Sequence, residues 1–291
     1  MTANKKLLFV AHTGQLSSGG EISNYQLMDY LVRQGYEIQI IHPDWNDVSY
    51  EEKMRAIGVQ PVTISYTHWR DEDIRFEEVD LKAINQICEV IRSFNPGVVI
   101  TNTMIVPWGA IAAALMNKPH MWVTREFPIG ELVYLNEKKD IIKKFSNIVI
   151  ANSRELADSV SIAYDVRAPY FYSYVDVKDI HLDDSITQTR FVSPNNIIPR
   201  KNQKELIEAL AIVKERNPDF STQVVLIGNK DETYWKSVKK LIVDNGLDSL
   251  VIVHEFSKEP WGLVGKSDIL VQTSLSESIG RTTTDAMKIG I

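Results

Sequence analysis

Three short clusters of residues in this chain combine small, flexible turns with groups that suit an anionic, hydroxyl-rich ligand. The first is Ser276-Glu277-Ser278-Ile279-Gly280, followed at Asp285 by a second carboxylate. A small-residue turn before a helix leaves backbone N–H groups at Ser278, Ile279 and Gly280 that can cradle phosphate oxygens. Carboxylates accept strong hydrogen bonds from sugar or ribose hydroxyls. With a helix expected from about Ser278, Glu277 precedes it and Asp285 lies two turns inside, so they approach a ligand from two directions. The second cluster is Pro199-Arg200-Lys201, at the opening of a helix expected over 202–216. That end of a helix carries partial positive charge, so two adjacent cations there are in conflict unless an anion such as a diphosphate joins them. A solvated basic turn is the alternative. The third is Ser17-Ser18-Gly19-Gly20-Glu21, where paired glycines let the backbone approach a ligand closely. It is not a G-x-G-x-x-G fingerprint, and a tight turn with a serine cap accounts for it equally well.

The elements that must position these clusters follow from hydrophobic periodicity. Short apolar runs at 7–11, 61–64, 97–101, 121–124 and 148–151, and an alternating run at 36–40, read as strands. Helical spacing separates them near 22–32, 80–94, 105–116 and 153–163. After a polar, acidic stretch from Tyr174 to Gln188 the rhythm restarts, with strands at 191–193, 224–227, 250–253 and 269–272 and helices at 202–216, 232–245 and from 278. Strand–helix alternation implies parallel strands joined by crossover helices, hence an α/β protein of two Rossmann-like, doubly wound domains. The boundaries read as 1–175 and 188–291, with a linker over about 176–187. Such sheets bind ligands at the carboxyl ends of their strands, which is where all three clusters fall.

Composition excludes several classes. The formal net charge is −6 and the pI about 5.6, without the basic stripe expected of a nucleic-acid partner. A single cysteine, Cys88, sits in a helical apolar pattern and reads as a buried small hydrophobe; no internal disulfide is possible, which fits a reducing compartment. The longest apolar stretch, 105–116, is well short of the ~20 residues of a membrane span, and the apolar run 7–11 is too short for a signal peptide. His42, His120, His181 and His254 have no metal-ligand spacing.

The segment Glu277-Ser278-Ile279-Gly280-Arg281-Thr282-Thr283-Thr284-Asp285 resembles the E-x7-E motif of glycosyltransferase family 4, with an aspartate at the second acidic position. The other two clusters fall, in order, where that family has its glycine-rich loop and its diphosphate-binding basic pair. Asn152-Ser153, Val175-Asp176 and Asp268 are further echoes, so the likeness spans nearly the whole chain. It implies a GT-B fold and a retaining, metal-independent transferase that uses a nucleotide diphosphate sugar as donor substrate, with no bound cofactor. By the same resemblance, Lys201 neutralises the leaving diphosphate with Arg200 as helper, and Glu277 holds donor-sugar hydroxyls. Ser278, Ile279 and Gly280 help bind phosphate or sugar, Asp285 takes the ribose hydroxyls, and Gly19 and Gly20 approach the donor from the other domain.

Three departures bear on activity. Asn195-Asn196 stand where the family has Gly-Arg, so Asn196 takes the place of an arginine unless Arg200 substitutes for it in space. Arg125, followed by Glu126, Phe127 and Pro128, stands where the family has a histidine that contacts the donor sugar. The chain stops at Gly290-Ile291, where relatives continue with another strand and helices, so the second domain is expected to be incomplete. Lys138, Lys139, Lys143 and Lys144 flank Ile141, Ile142 and Phe145. A solvated helix with one core face is the favoured reading, and a peripheral membrane surface the alternative. His68-Trp69-Arg70 with Asp71 to Asp73 reads as a solvated loop, with an acceptor-side loop as the alternative. His12 reads as a hydrogen-bonded structural histidine or one facing the cleft.

The expected function is transfer of a sugar to a saccharide or lipid-linked acceptor in cell-surface glycan biosynthesis, in the cytoplasm or at the inner face of the membrane. The alternatives are a nucleotide-sugar 2-epimerase-like GT-B enzyme and a degenerate, non-catalytic GT-B binding subunit.

Overall fold

The computed structural model describes residues 4–16, 19–45, 47–69, 77–128, 138–173 and 180–291. Ser17-Ser18, Arg70 to Asp73 and Val175-Asp176 lie outside the described residues. The chain divides into two compact units, Met1–Tyr174 and Val175–Ile291.

The first unit carries strands β1 (Lys6–Val10), β2 (Glu37–His42), β3 (Gln60–Thr63), β4 (Val98–Asn102), β5 (His120–Thr124) and β6 (Ile148–Ala151). They form one parallel sheet in the order β3-β2-β1-β4-β5-β6. Helices α1 (Gly19–Arg33), α2 (Val48–Ala56), α3 (Glu78–Phe94), α4 (Trp108–Leu115), α5 (Lys139–Phe145) and α6 (Arg154–Tyr164) supply the crossovers. β1 is apolar throughout because both of its faces are covered. Leu8 and Val10 point into a core shared with Ile84, Ile87 and Ile91 of α3, whereas Leu7 and Phe9 meet Met28 of α1 and Met54 of α2 on the opposite face. The two-residue period of a strand divides these neighbours between the faces.

The second unit repeats the plan. Strands β7 (Phe191–Pro194), β8 (Val224–Ile227), β9 (Val251–His254) and β10 (Ile269–Leu270) pair in parallel in the order β10-β7-β8-β9. This is the order of the first four strands of the first unit. Helices α7 (Gln203–Arg216), α8 (Glu232–Asp244) and α9 (Arg281–Ile289) accompany them. Val224 and Leu226 face one core while Val225 and Ile227 face the other. In each unit the strand order reverses beside the first strand, between β1 and β4 and between β7 and β10. That reversal opens a crevice at the carboxyl ends of the strands.

Two doubly wound parallel sheets are what the strand–helix alternation implies, and Cys88 is buried as expected. Other expectations need correction. The helix expected from Ser278 begins at Arg281, because Gly280 takes a left-handed conformation (φ 62°) that breaks helical continuation from the preceding turn. Asp285 therefore lies one turn inside the helix rather than two. α2 has no counterpart in the sequence reading, since among its described side chains only Tyr50 and Met54 are buried. Trp69 is 5% exposed, so His68-Trp69 is no solvated segment. Lys138 is fully buried just before α5, its ammonium over the Trp69 ring.

Candidate functional site

In the second unit the loops after β7 and β10 are laced together at the carboxyl ends of those strands. Pro199 opens a short 3-10 turn, Pro199–Lys201, and Asn202 adopts a left-handed conformation (φ 50°) before α7 begins. Proline's fixed φ suits the first position of such a turn. The turn aims two carbonyls at the β10 loop: Leu275 N–H donates to Arg200 O at 2.9 Å, and Thr273 Oγ1 donates to Lys201 O at 3.0 Å. Arg200 Nη1 donates to Ser276 O at 3.1 Å. These bonds join residues more than seventy positions apart in sequence.

The same lacing brings Lys201, Arg200 and Glu277 together. The Lys201 ammonium donates to Glu277 Oε1, Gln272 Nε2 donates to that oxygen at 3.1 Å, and Arg200 Nη1 stands 3.9 Å away. Two cations thus share one carboxylate. The conflict of adjacent cations at the head of a helix is met here by Glu277, one unit of charge short of neutrality. Burial lowers the Lys201 pKa below the usual lysine range, Glu277 opposes that shift, and Arg200 adds to it.

Asn195 ties the cluster to α9. Its Nδ2 donates to Gln272 Oε1 at 3.0 Å, and its Oδ1 accepts from Thr282 Oγ1 at 3.3 Å. Asn196 points elsewhere: its Oδ1 accepts from Asn229 N–H at 3.3 Å and its carbonyl from Gln203 Nε2 at 2.9 Å. Gly228 allows that approach, because a Cβ there would lie 2.5 Å from Asn195 O. Ser278 and Ile279 are half-buried and Gly280 is buried in the turn that leads into α9. Asp285 is buried on that helix, with Oδ2 3.5 Å from Arg281 Nε and Oδ1 lacking any hydrogen-bond partner among the described residues. Burial raises the Asp285 pKa, and Arg281 opposes the shift. A desolvated carboxylate oxygen with no donor is costly unless a ligand hydroxyl completes it.

The remaining residues of interest belong to the first unit. Gly19 and Gly20 form the start of α1, and Glu21 beside them holds His12 Nε2 at 2.8 Å. His12, just past the carboxyl end of β1, is thus hydrogen-bonded. Arg125, just past β5, donates from Nε to Asn102 Oδ1 at 2.7 Å and from Nη1 to Ser173 Oγ at 3.2 Å. Asn152 is buried, and Ser153 caps α6 by accepting from Leu156 N–H at 3.2 Å. Asp268 stands at the other end of its sheet from the site. It forms a buried pair with Arg190 (Nη2–Oδ2 2.6 Å) that joins the amino ends of β7 and β10. The sequence alone assigns no role to Gln272, Asn195 or Arg281. Only Arg281 left a local signal, its four-residue spacing from Asp285 on one helix. Among the described residues, no group of His, Cys, Asp and Glu side chains could hold a metal ion, and no helix is long and apolar enough to cross a membrane.

Residues 17–170 match the family model described as Glycosyltransferase Family 4, and residues 184–291 match the one described as glycosyl transferases group 1. EpsD of Bacillus subtilis, which bears a glycosyltransferase name, is 30% identical over 96 residues. Those residues are 33% of this chain and span about a quarter (24%) of that relative. Among solved structures, Anabaena Alr3699/HepE in complex with UDP and glucose superposes with a TM-score of 0.76 at 18% identity, covering 98% of this chain and 78% of that one. A glycosyltransferase from Rickettsia africae superposes with a TM-score of 0.71 at 16% identity, covering 98% of this chain and 77% of its own.

Proposed function

Because this chain belongs to glycosyltransferase family 4, we propose that it transfers a sugar from a nucleotide diphosphate sugar to a saccharide or lipid-linked acceptor. The observation that carries the reading is the cluster of Lys201, Arg200 and Glu277 between the loops after β7 and β10. It has one more cation than anion at the crevice where doubly wound sheets take nucleotides.

In this reading the diphosphate takes the place of Glu277 as the partner of Lys201. As the bond from the sugar's anomeric carbon to the diphosphate oxygen breaks, negative charge builds on the leaving group, and the partly desolvated ammonium stabilises it more than an exposed one would. Arg200, on the neighbouring carbonyl of Ser276, stands in for the family arginine that Asn196 replaces. Glu277, once released, accepts hydrogen bonds from donor-sugar hydroxyls, and the 278–280 turn supplies N–H groups to phosphate or sugar. Asp285 Oδ1 accepts from a ribose hydroxyl. Transfer with retention, without a metal, in cell-surface glycan synthesis is the form of the reaction the family resemblance favours.

UDP, the nucleotide in the HepE structure, is the first donor fragment to try. It should raise the melting temperature, and Lys201→Ala should remove that rise. No shift with any nucleoside diphosphate would overturn the reading. Incubation with donor alone and with donor plus acceptor separates transfer from epimerisation, because an isomerised sugar without acceptor marks an epimerase. The anomeric configuration of the product by NMR tests retention, and turnover in excess chelator tests metal independence.

A further inference from the structure

We propose that Gln272 and Asn195 are positioning residues for the transfer, the middle members of a one-directional hydrogen-bond chain that keeps Glu277 in place for the donor sugar once the diphosphate has taken Lys201; this rests on the transferase reading above. The chain starts on α9, where Thr282 Oγ1 donates to Asn195 Oδ1 at 3.3 Å. Asn195 Nδ2 donates to Gln272 Oε1 at 3.0 Å, and Gln272 Nε2 donates to Glu277 Oε1 at 3.1 Å. Three segments contribute: Asn195 directly follows β7, Gln272 lies two residues past β10, and Thr282 is in the first turn of α9. The two ends of the chain, Thr282 and Glu277, flank the Ser278-Ile279-Gly280 turn, so these bonds also brace that turn on both sides.

Each link sets the direction of the next, because an amide presents a carbonyl at one end and N–H groups at the other. The Thr282 hydroxyl engages the Asn195 carbonyl, which turns the Asn195 N–H groups toward Gln272. That donor engages the Gln272 carbonyl, and the Gln272 N–H groups go to Ser274 Oγ and Glu277 Oε1. Were the Gln272 amide reversed, its carbonyl oxygen would face the Glu277 carboxylate and its N–H groups would face those of Asn195. Aligned amides also polarise one another toward the charge at the end of the chain. The chemistry makes such a hold necessary. Lys201 and Arg200 are cations, so an arriving diphosphate draws both from Glu277, whereas a neutral amide stays with the carboxylate. A glutamate released from every partner would spread over its rotamers and lose the geometry needed to accept from sugar hydroxyls. Asn195 is 8% exposed, so water is a poor substitute for its bonds. Glycine, which the family has at this position, has no side chain to make them, so the hold is a feature of this chain.

The test is titration calorimetry on the full chain, read as the ratio of a sugar nucleotide's Kd to that of its parent nucleotide. The probes are UDP, GDP and ADP, with UDP-glucose, UDP-galactose, UDP-N-acetylglucosamine, GDP-mannose and ADP-glucose. Gln272→Met keeps the shape and removes the N–H groups. It should raise the ratio about tenfold while the Kd of the parent nucleotide stays within about threefold of the original. Asn195→Ala, which lets Gln272 reverse, and Thr282→Val should each raise the ratio about threefold or more. Thr282→Ser keeps the hydroxyl and should leave the original ratio. Thr282 is half-buried, so the isosteric Thr282→Val keeps the test open should Gln272→Met fail to fold. Because both act through Glu277, Gln272→Met combined with Thr282→Val should lose no more than Gln272→Met alone. A merely structural role would weaken nucleotide and sugar nucleotide alike. An unchanged ratio in the folded variants, equal losses for both ligands, additive losses in the double variant, or a nucleotide that binds while none of its sugar forms does would each overturn the inference and leave the nucleotide reading standing. No melting shift with any nucleoside diphosphate in the unaltered chain would overturn both.

Discussion

Lys201→Met removes the ammonium and keeps most of the aliphatic stem, so it isolates the charge. The side chain is 14% exposed, and Glu277 would not be stranded by the change, since Gln272 Nε2 at 3.1 Å and Arg200 Nη1 at 3.9 Å still serve it. The variant should fold with little loss of stability. A hydrogen bond to a charged group is worth about 1.5–3 kcal/mol, which converts to roughly a 10- to 150-fold weaker Kd for UDP. The upper end is expected because the variant leaves Glu277 facing the diphosphate with less to offset it. At a UDP concentration about 100 times the original Kd, the ligand contributes about 2.7 kcal/mol of stability; a 100-fold weaker Kd reduces this to about 0.4 kcal/mol. Titration calorimetry gives the Kd and a thermal melt gives the linked stability. Arg200→Met is the internal comparison: at 49% exposure its charge is well screened, and the expected loss is below about 1 kcal/mol, or about fivefold. A Lys201→Met protein that melts normally and binds UDP within about threefold of the original would refute the placement of the diphosphate at this pair, as would a larger loss from Arg200→Met.

Asp285→Ala should weaken UDP by about tenfold or more, through loss of a carboxylate acceptor, yet leave inorganic pyrophosphate binding unchanged; equal losses for both would remove Asp285 from the ribose. His120 is buried against Thr101 Oγ1 at 2.8 Å, and burial pushes its pKa down to about 3. Between that value and the unfolded pKa near 6.5 only the unfolded chain takes up the proton, so stability should fall on acidification by about 1.4 kcal/mol per pH unit and be level above pH ~6.5. Urea titrations between about pH 4.5 and 6.5 should show a flatter dependence in His120→Gln, and an unchanged slope would count against a buried neutral imidazole. Asp268→Asn leaves Arg190 charged and buried, for a loss of about 3–5 kcal/mol, while UDP affinity of the folded fraction stays the same. A selective loss of UDP binding would instead place Asp268 in the site.

Much of the scaffold was legible because burial writes a local period into the chain. β6 at 148–151 and β8 at 224–227 stand where the apolar runs put them, and Gly35 closes α1 with the positive φ (81°) expected of a helix terminator. α2 was not legible, because Tyr50 and Met54, the two buried among its described side chains, make no period. Lys138 was misread for a related reason: a lysine looks solvent-bound until the ring that covers it, Trp69, is brought from far along the chain.

For the site, the sequence by itself determined which chemical groups are present and that each lies on a loop at a strand's carboxyl end. It also determined, through the resemblance, which ligand class to consider. Only the tertiary structure decided who meets whom. Residues 201 and 277 are 76 positions apart, and nothing in either local segment encodes that the ammonium and carboxylate share a hydrogen bond. The parallel pairing of β10 with β7 sets that distance, and Gly280 and Asn202, by their left-handed turns, set the angles. Packing also left Asp285 buried with one oxygen unfilled among the described residues and placed Asp268 at the opposite end of its sheet, although both are aspartates in one short segment. Burial and partners, which arise only when distant segments pack, separate a ligand-facing carboxylate from a structural one.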